Sequence, residues 1–217
     1  MLLALETATN VCSVAFCDSE GSIFEKRIDK RGSHSEQLFL FIEELMNEHD
    51  FKIEDLDAVL VSEGPGSYTG LRIGASAVKG LLFQSGVSLF GVNTLASFAT
   101  QAAEGNSSSQ TVHSIIDARR KHVYHQSFFC NEGLAAKSEV EVIPIKSFEA
   151  MVKEGDVIIG TGLDRIEESV KEKVRTFGKE SITAKSLIFL YQSGEGFINE
   201  VNPGEFEPKY YTSNQVS

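Results

Sequence analysis

Residues 62–74, Ser-Glu-Gly-Pro-Gly-Ser-Tyr-Thr-Gly-Leu-Arg-Ile-Gly, have the composition of a reactive or ligand-binding loop. They follow an apolar run, Ala58-Val59-Leu60-Val61, that reads as a buried strand, and they open a segment, Leu71 to Phe83, almost free of charge. A strand, a glycine-rich turn and a helix N-terminus in that order can cradle a phosphate, because the first N–H groups of the helix have no partner within it. The phosphate-loop pattern needs Lys and Ser or Thr directly after its last glycine; here Leu71 and Arg72 follow Gly70. A nucleophile elbow needs glycines one residue removed from its serine on each side, whereas Gly66 directly precedes Ser67. The loop Gly64-Pro65-Gly66-Ser67-Tyr68-Thr69-Gly70 therefore has the shape of a site without the usual reagents. It also reads as a rigid turn with Ser67 or Thr69 as an N-cap.

The surrounding elements follow from periodicity. Residues 2–8, 11–17 and 22–28 read as three strands with short connections, which implies antiparallel hairpins. A helix is expected at 34–49, then a strand at 58–62, a helix at 70–84 and a strand at 87–92. That order is the order of a ribonuclease-H-like lobe. A second triplet of strands is expected at 111–117, 122–130 and 136–143, followed by helices at 147–153, 163–176 and 182–193 and a strand at 157–159. The repetition suggests an internal duplication with a truncated second copy, giving lobes 1–100 and 101–217. The link is Thr94–Gln110, a helix ending in the flexible polar run Gly105-Asn106-Ser107-Ser108-Ser109.

Composition bounds the function. The chain has 217 residues, 41% of them apolar and 24% charged, enough for a sizeable core. No apolar run reaches the ~18 residues that span a membrane, and Met1-Leu2-Leu3 reads as a strand, not a leader. Cys12, Cys17 and Cys130 show no metal-type spacing and point to a reducing cytoplasm. The net charge of −11 opposes independent binding to nucleic acid. The longest basic cluster is Arg119-Arg120-Lys121.

The glycine-rich loop, with Leu5-Glu6-Thr7-Ala8-Thr9, His34-Ser35-Glu36-Gln37-Leu38, Gly91-Val92-Asn93-Thr94-Leu95 and Asp117-Ala118-Arg119, resembles one family over about residues 1–125. It is the TsaB (YeaZ) family, which serves in making tRNA threonylcarbamoyladenosine (t6A) and is a non-catalytic paralogue of TsaD. Beyond residue 125 the likeness is loose, through Gly160-Thr161-Gly162 and Pro208-Lys209-Tyr210; Tyr68 stands where the family more often has Phe. The resemblance implies two ribonuclease-H-like lobes of the actin-like ATPase (ASKHA) superfamily, in agreement with the strand count.

That fold commonly grips ATP, so its nucleotide positions bear on function. Glu6-Thr7-Ala8-Thr9 has the acid and the hydroxyls of the first turn but no glycine; Gly160-Thr161-Gly162 is a partial adenosine turn; Asp117 and Arg119 stand as a charge pair where a second phosphate loop would carry glycines. Glu6, Thr7, Thr9, Asp117, Arg119, Gly160 and Gly162 thus read as a vestigial nucleotide cleft. The rival reading is an ATP-binding phosphotransferase or hydrolase using Glu6, Thr9 and Asp117. The catalytic paralogue holds a metal through a His-x-x-x-His pair on its first helix; here His34 is followed at the fourth position by Leu38. His34 reads instead as a helix-start residue, with Ser33 or Ser35 as cap and Glu36 completing a capping box. His122 and His125 lie three apart on a strand and face opposite ways, and His49 and His113 have no ligand at helpful spacing, so no metal site, glycoprotease-like or otherwise, is expected.

What remains is surface. Leu38-Phe39-Leu40-Phe41-Ile42 puts five apolar residues around a whole helical turn. The helix from residue 70 has small residues at Gly70, Gly74, Ala75, Ser76, Ala77 and Gly80. Both exceed what one sheet face needs, which predicts an apolar partner patch. In the family these two helices pair with the catalytic paralogue, or with a second copy in its absence. The expected contacts are His34, Leu38, Phe41, Ile42, Leu45, Leu71, Arg72, Gly74, Ala75, Val78 and Leu82. The resemblance further implies a TsaE-type ATPase in the complex, tRNA engaged only through the complex, and no cofactor bound by this chain alone, with ATP and a metal ion on partner subunits.

Overall fold

The computed structural model describes residues 1–103, 110–130, 133–194 and 196–212. The polar run at 105–109, expected as a flexible link, lies outside the described residues. The chain forms β1 (Leu2–Glu6), β2 (Val11–Cys17), β3 (Ile23–Asp29), α1 (His34–His49), β4 (Ala58–Gly64), α2 (Tyr68–Leu81), β5 (Ser88–Asn93) and α3 (Thr94–Ala103). It continues with β6 (Thr111–Asp117), β7 (His122–Cys130), β8 (Leu134–Ala136), β9 (Glu141–Pro144), α4 (Ile145–Met151), β10 (Val157–Ile159), α5 (Glu168–Lys171), β11 (Arg175–Phe177), α6 (Lys185–Ser193) and β12 (Ile198–Val201).

Two compact units result. The first holds Met1–Thr94 and Thr183–Lys209, and the second is built on Leu95–Ile182. The first sheet runs β12-β5-β4-β1-β2-β3, and the second runs β11-β10-β6-β7-β8 with β9 also on β7. In each, the opening hairpin is antiparallel and the later strands join its first strand in parallel. The core order 5-4-1-2-3 therefore recurs, as the duplicated ribonuclease-H-like pattern requires. The fold is mixed α/β with two mixed sheets.

In the first unit β1, β2 and β4 are buried along their whole length, which demands cover on both faces. One face takes Leu38, Phe41, Ile42 and Leu45 of α1 and Ala75 and Val78 of α2 against Leu3, Leu5, Val14, Phe16, Val59 and Val61. The spacing i, i+3, i+4, i+7 is one helical stripe. The other face is covered by α6, which packs on β1, β2 and β4 and buries Leu187, Ile188 and Leu190. This corrects the expected division at residue 100. The covering helix is supplied after the second sheet has been completed, so Thr183–Lys209 returns to the first unit, and β12, not anticipated from the sequence, adds to its edge.

The second unit differs from expectation over 136–143 and 163–176. The first becomes two short strands, β8 and β9. The second becomes a 3-10 turn (Thr161–Arg165), the four-residue α5 and strand β11. Ile166, Val170 and Val174 sit at helical spacing but pack on a small core of Ile115, Val123, Phe148 and Ile158 through irregular backbone. Fourfold spacing of apolar residues does not by itself separate a helix from a chain touching down once per turn.

Candidate functional site

The glycine-rich loop is held by what it touches. Ser67 is the N-cap of α2, its Oγ accepting from the Gly70 N–H at 3.3 Å, while its own N–H donates to the Ala8 carbonyl at 2.6 Å. A Cβ on Gly66 would strike the Ala8 carbonyl, one on Gly70 the Thr7 carbonyl, and one on Gly74 would lie 2.5 Å from Thr7 Oγ1. Gly64 has φ 118° and sits against the Lys209 carbonyl; its peptide bond to Pro65 is cis. The glycines therefore admit the close approach of the turn after β1. The chain's tail completes the arrangement: Lys209 donates its N–H to the Glu63 carbonyl at 2.7 Å and its Nζ to Glu63 Oε1 at 2.8 Å. Nothing in the spacing of Pro208-Lys209-Tyr210 along the chain announces this tie.

The nucleotide positions of the first unit are closed. Glu6 is fully buried; Oε1 accepts from the Ala8 N–H at 2.6 Å, while Oε2 has no hydrogen-bond partner among the described residues. Burial pushes its pKa up from 4.5 to about 7, against the lowering effect of the Ala8 N–H and the Ser62 hydroxyl. Thr7 Oγ1 is buried and also unpartnered among the described residues, and Thr9 Oγ1 accepts from the Val11 N–H at 3.1 Å.

The second unit closes its own turns differently. Asp117 accepts from the Arg119 backbone N–H at 2.8 Å, but its ion pair is with Arg165 Nη1 at 2.7 Å; the expected Asp117–Arg119 side-chain pair is replaced by this one. Arg165 also donates to the Arg120 carbonyl. Gly160, with φ 122°, lies against the Ile115 carbonyl, and Gly162 packs on the Ile115 side chain.

The helix faces required the largest correction. His34, Leu38, Phe41, Ile42, Leu45, Leu71, Gly74, Ala75, Val78 and Leu82 are buried within the first unit, and of the expected contacts Arg72 alone is exposed. The stripe chosen from the sequence is the sheet-facing one. The outward stripe carries Phe39, 50% exposed, Leu40 and Tyr68, with Ile73 half-buried. Between α1 and α2, Phe39, Tyr68 and Ile73 border an open groove of about 470 Å³ lined also by Ser35, Arg72 and Ser76 among others. Arg72 lies 4.3 Å over the Tyr68 ring. Phe39 was legible as the apolar residue left over once Leu38, Phe41 and Ile42 are assigned to the core.

The histidines differ from expectation too. His34 is buried, with Nε2 3.2 Å from the Val11 carbonyl, and burial lowers its pKa. Ser33 precedes it as N-cap but spends its hydroxyl on the Lys30 carbonyl at 2.7 Å, so the capping box is absent. His113, expected to lack neighbours, has two. Its Nδ1 is 3.0 Å from His125 Nε2 and its Nε2 3.2 Å from Asp156 Oδ2. Cross-strand register, invisible to spacing along the chain, joins the two histidines. No group of three or more His, Cys, Asp and Glu with metal-holding geometry occurs among the described residues.

Comparison with known proteins places this geometry. A family model described as TsaD, tRNA N6-adenosine threonylcarbamoyltransferase, matches residues 29–132. The tRNA threonylcarbamoyladenosine biosynthesis protein TsaB of Bacillus subtilis is 27% identical over 197 residues, 91% of this chain and 79% of that protein. Its Escherichia coli counterpart is 29% identical over 143 residues, 65% of this chain and 61% of that protein. YeaZ from Pseudomonas aeruginosa superposes with a TM-score of 0.78 at 25% identity, covering 97% of this chain and 99% of that one. The chain is similar to TsaB/YeaZ proteins along nearly its whole length. Its relation to TsaD is carried by the stretch from the end of β3 to β7, which includes the α1–α2 groove and the glycine-rich loop. The relatives it matches are named for tRNA threonylcarbamoyladenosine biosynthesis. Among the described residues no helix is long and apolar enough to cross a membrane.

Proposed function

We propose that this chain is a non-catalytic scaffold that docks and activates the TsaD-type threonylcarbamoyltransferase. The observation that carries the reading is the α1–α2 groove. Its walls combine the apolar side chains of Phe39, Tyr68 and Ile73 with Ser35, Thr69, Arg72 and Ser76, and it adjoins a loop that the tail clamps in place. Against an enzyme of its own stand a first-turn acid with no exposure and a second-turn acid already paired with Arg165. In the absence of the transferase a second copy of the chain occupies the same groove. ATP, the metal ion and a TsaE-type ATPase belong to the partner side, tRNA is reached through the complex, and the complex works in the cytoplasm.

Light scattering of the chain alone and with the transferase tests this. The expected result is a homodimer that exchanges for a heterodimer. Phe39→Asp with Ile73→Asp weakens both associations by about 30-fold or more, as loss of a central hot spot does, with the far-UV spectrum unchanged. A monomer indifferent to the transferase overturns the proposal.

A further inference from the structure

The only run of three consecutive cations in this acidic chain is Arg119-Arg120-Lys121, and the structure puts all three, exposed, at the tip of the β6–β7 hairpin. No acid occurs from Ala118 to Asn131, and the acid at the base of the hairpin, Asp117, is neutralised by Arg165. Arg165 also donates to the Arg120 carbonyl and so braces the tip. None of the three tip cations enters an ion pair among the described residues.

The backbone at the tip is equally informative. Arg119 has φ 66° and Arg120 φ 51°, two successive residues in the left-handed region. Left-handed positions favour glycine or asparagine, and a longer side chain is held there against its preference. Two long cations occupy positions where the turn favours small residues. Local stability does not account for them, which leaves a use for the charges. A hairpin tip in solvent suits a linear polyanion that lies across it; it encloses nothing that would hold a small anion.

We infer that the Arg119-Arg120-Lys121 tip contacts the phosphodiester backbone of RNA. The inference rests on the reading above, since a chain of net charge −11 does not hold RNA by itself and the transferase must supply the remaining contacts. Arg119 and Arg120 act as sequence-independent phosphate contacts that fix how the RNA lies on the complex. They position and do not specify.

The test uses the assembled complex with the transferase and an unmodified tRNA transcript, titrated at several salt concentrations. Arg119→Asn with Arg120→Gly removes two charges while giving the turn the residues it favours. The variant is expected to melt at or above the temperature of the unaltered chain and to form the same heterodimer. The complex should bind tRNA more weakly, and the slope of log affinity against log salt should fall by about one for each phosphate that the tip no longer neutralises. Arg119→Lys with Arg120→Lys keeps the charges and should keep the slope. If the Asn-Gly variant binds tRNA with the same affinity and slope, the tip faces solvent and the inference is overturned. If instead ATP at physiological magnesium competes with tRNA for the tip, the ligand is nucleotide and the RNA assignment is overturned. Failure of the unaltered chain to form a heterodimer at all is seen in the scattering data before any tRNA is added. It overturns the scaffold reading, and this inference falls with it.

Discussion

The end of β1 and the end of β6 stand at the same place in two sheets of the same strand order, and each is packed by a glycine turn in a different way. After β1, the glycine-rich loop that follows β4 presses Gly66, Gly70 and Gly74 onto Thr7 and Ala8. In the second unit, the loop that follows β10 presses Gly160 and Gly162 onto Ile115 within β6, and Arg165 from the same loop ties down Asp117 at the end of that strand. In each lobe a glycine turn from the fourth strand of the pattern packs on the first. The first lobe packs its turn with backbone contacts and has a groove bordered by Phe39, Tyr68 and Ile73 beside the loop. The second ties the end of β6 with an ion pair and carries an exposed cationic tip. Each lobe packs a glycine turn against its first strand, and the surface beside that turn has a different chemistry in each.

The sharpest way to break the comparison is to add one methyl group to each lobe. Gly70→Ala and Gly160→Ala each drive a Cβ into a backbone carbonyl, of Thr7 and of Ile115 respectively, which no side-chain rotation relieves. Each is expected to cost more than about 4 kcal/mol, Gly160 the more because of its left-handed φ. Hydrogen exchange should place the loss in the first unit for Gly70→Ala and in the second for Gly160→Ala. Binding of the transferase should fail with the first variant and survive in the second at temperatures where that protein remains folded. Loss of binding in both would mean that the groove does not belong to the first unit alone.

How far these lobes were legible in the sequence follows from what each signal measures. The hairpin triplets, α1 and the start of α2 follow from alternation and from the Ser67 cap, which are local. The strand order follows from the element order, because a short loop permits only an antiparallel neighbour. An apolar patch was expected on these two helices, and the residues assigned to it, Arg72 excepted, lie on the buried, sheet-facing stripe. Five successive apolar residues show that a helix is apolar all round, but only the location of the sheet tells Leu38 from Phe39. The return of α6 and β12 to the first unit, the Lys209 tie and the His113–His125–Asp156 chain are long-range pairings. No spacing along the sequence encodes them.

A smaller effect separates the lobes by sign. Glu6 has its folded pKa raised from 4.5 to about 7 by burial. Between those values the folded chain holds a proton that the unfolded chain has released, so its contribution to stability is present at low pH and is lost as pH rises through 7. In the second unit, burial and the neighbouring His113 lower His125 from 6.5 to about 3, and burial lowers His113. There the unfolded chain takes up the proton first, and stability is lost as pH falls from 6.5 towards 3. His34, also lowered by burial, adds a part of this second kind to the first unit. Glu6→Gln should therefore reduce the stability difference between pH 5 and pH 8 by about 2–3 kcal/mol. His125→Gln should remove about 2 kcal/mol of the acid destabilisation between pH 7 and pH 5. Urea midpoints across that range, with hydrogen exchange to assign the unit, decide the matter. Equal signs for the two variants would mean that one of the burials is relieved by water.

The smallest expected effects come from the two ties themselves. Lys209 is half exposed, but the Glu63 carboxylate it meets at 2.8 Å is nearly buried, with 6% side-chain exposure. Lys209→Met keeps the stem and removes the charge, leaving that carboxylate without its ammonium partner, for about 1–2 kcal/mol. The backbone bond from the Lys209 N–H to the Glu63 carbonyl remains. Arg165 and Asp117 are each about a third exposed. Solvent screens that pair, and Arg165→Met should cost under about 1 kcal/mol. The consequences should part company more than the energies do. Loosening Lys209 frees the end of β4 and the glycine-rich loop, so transferase binding should weaken by more than the stability loss alone explains. Loosening Arg165 frees the hairpin tip and should leave transferase binding unchanged. Calorimetry of the two variants against the same transferase measures both halves of that contrast. Equal affinities would show that the tail fastens the first unit without shaping the surface it presents.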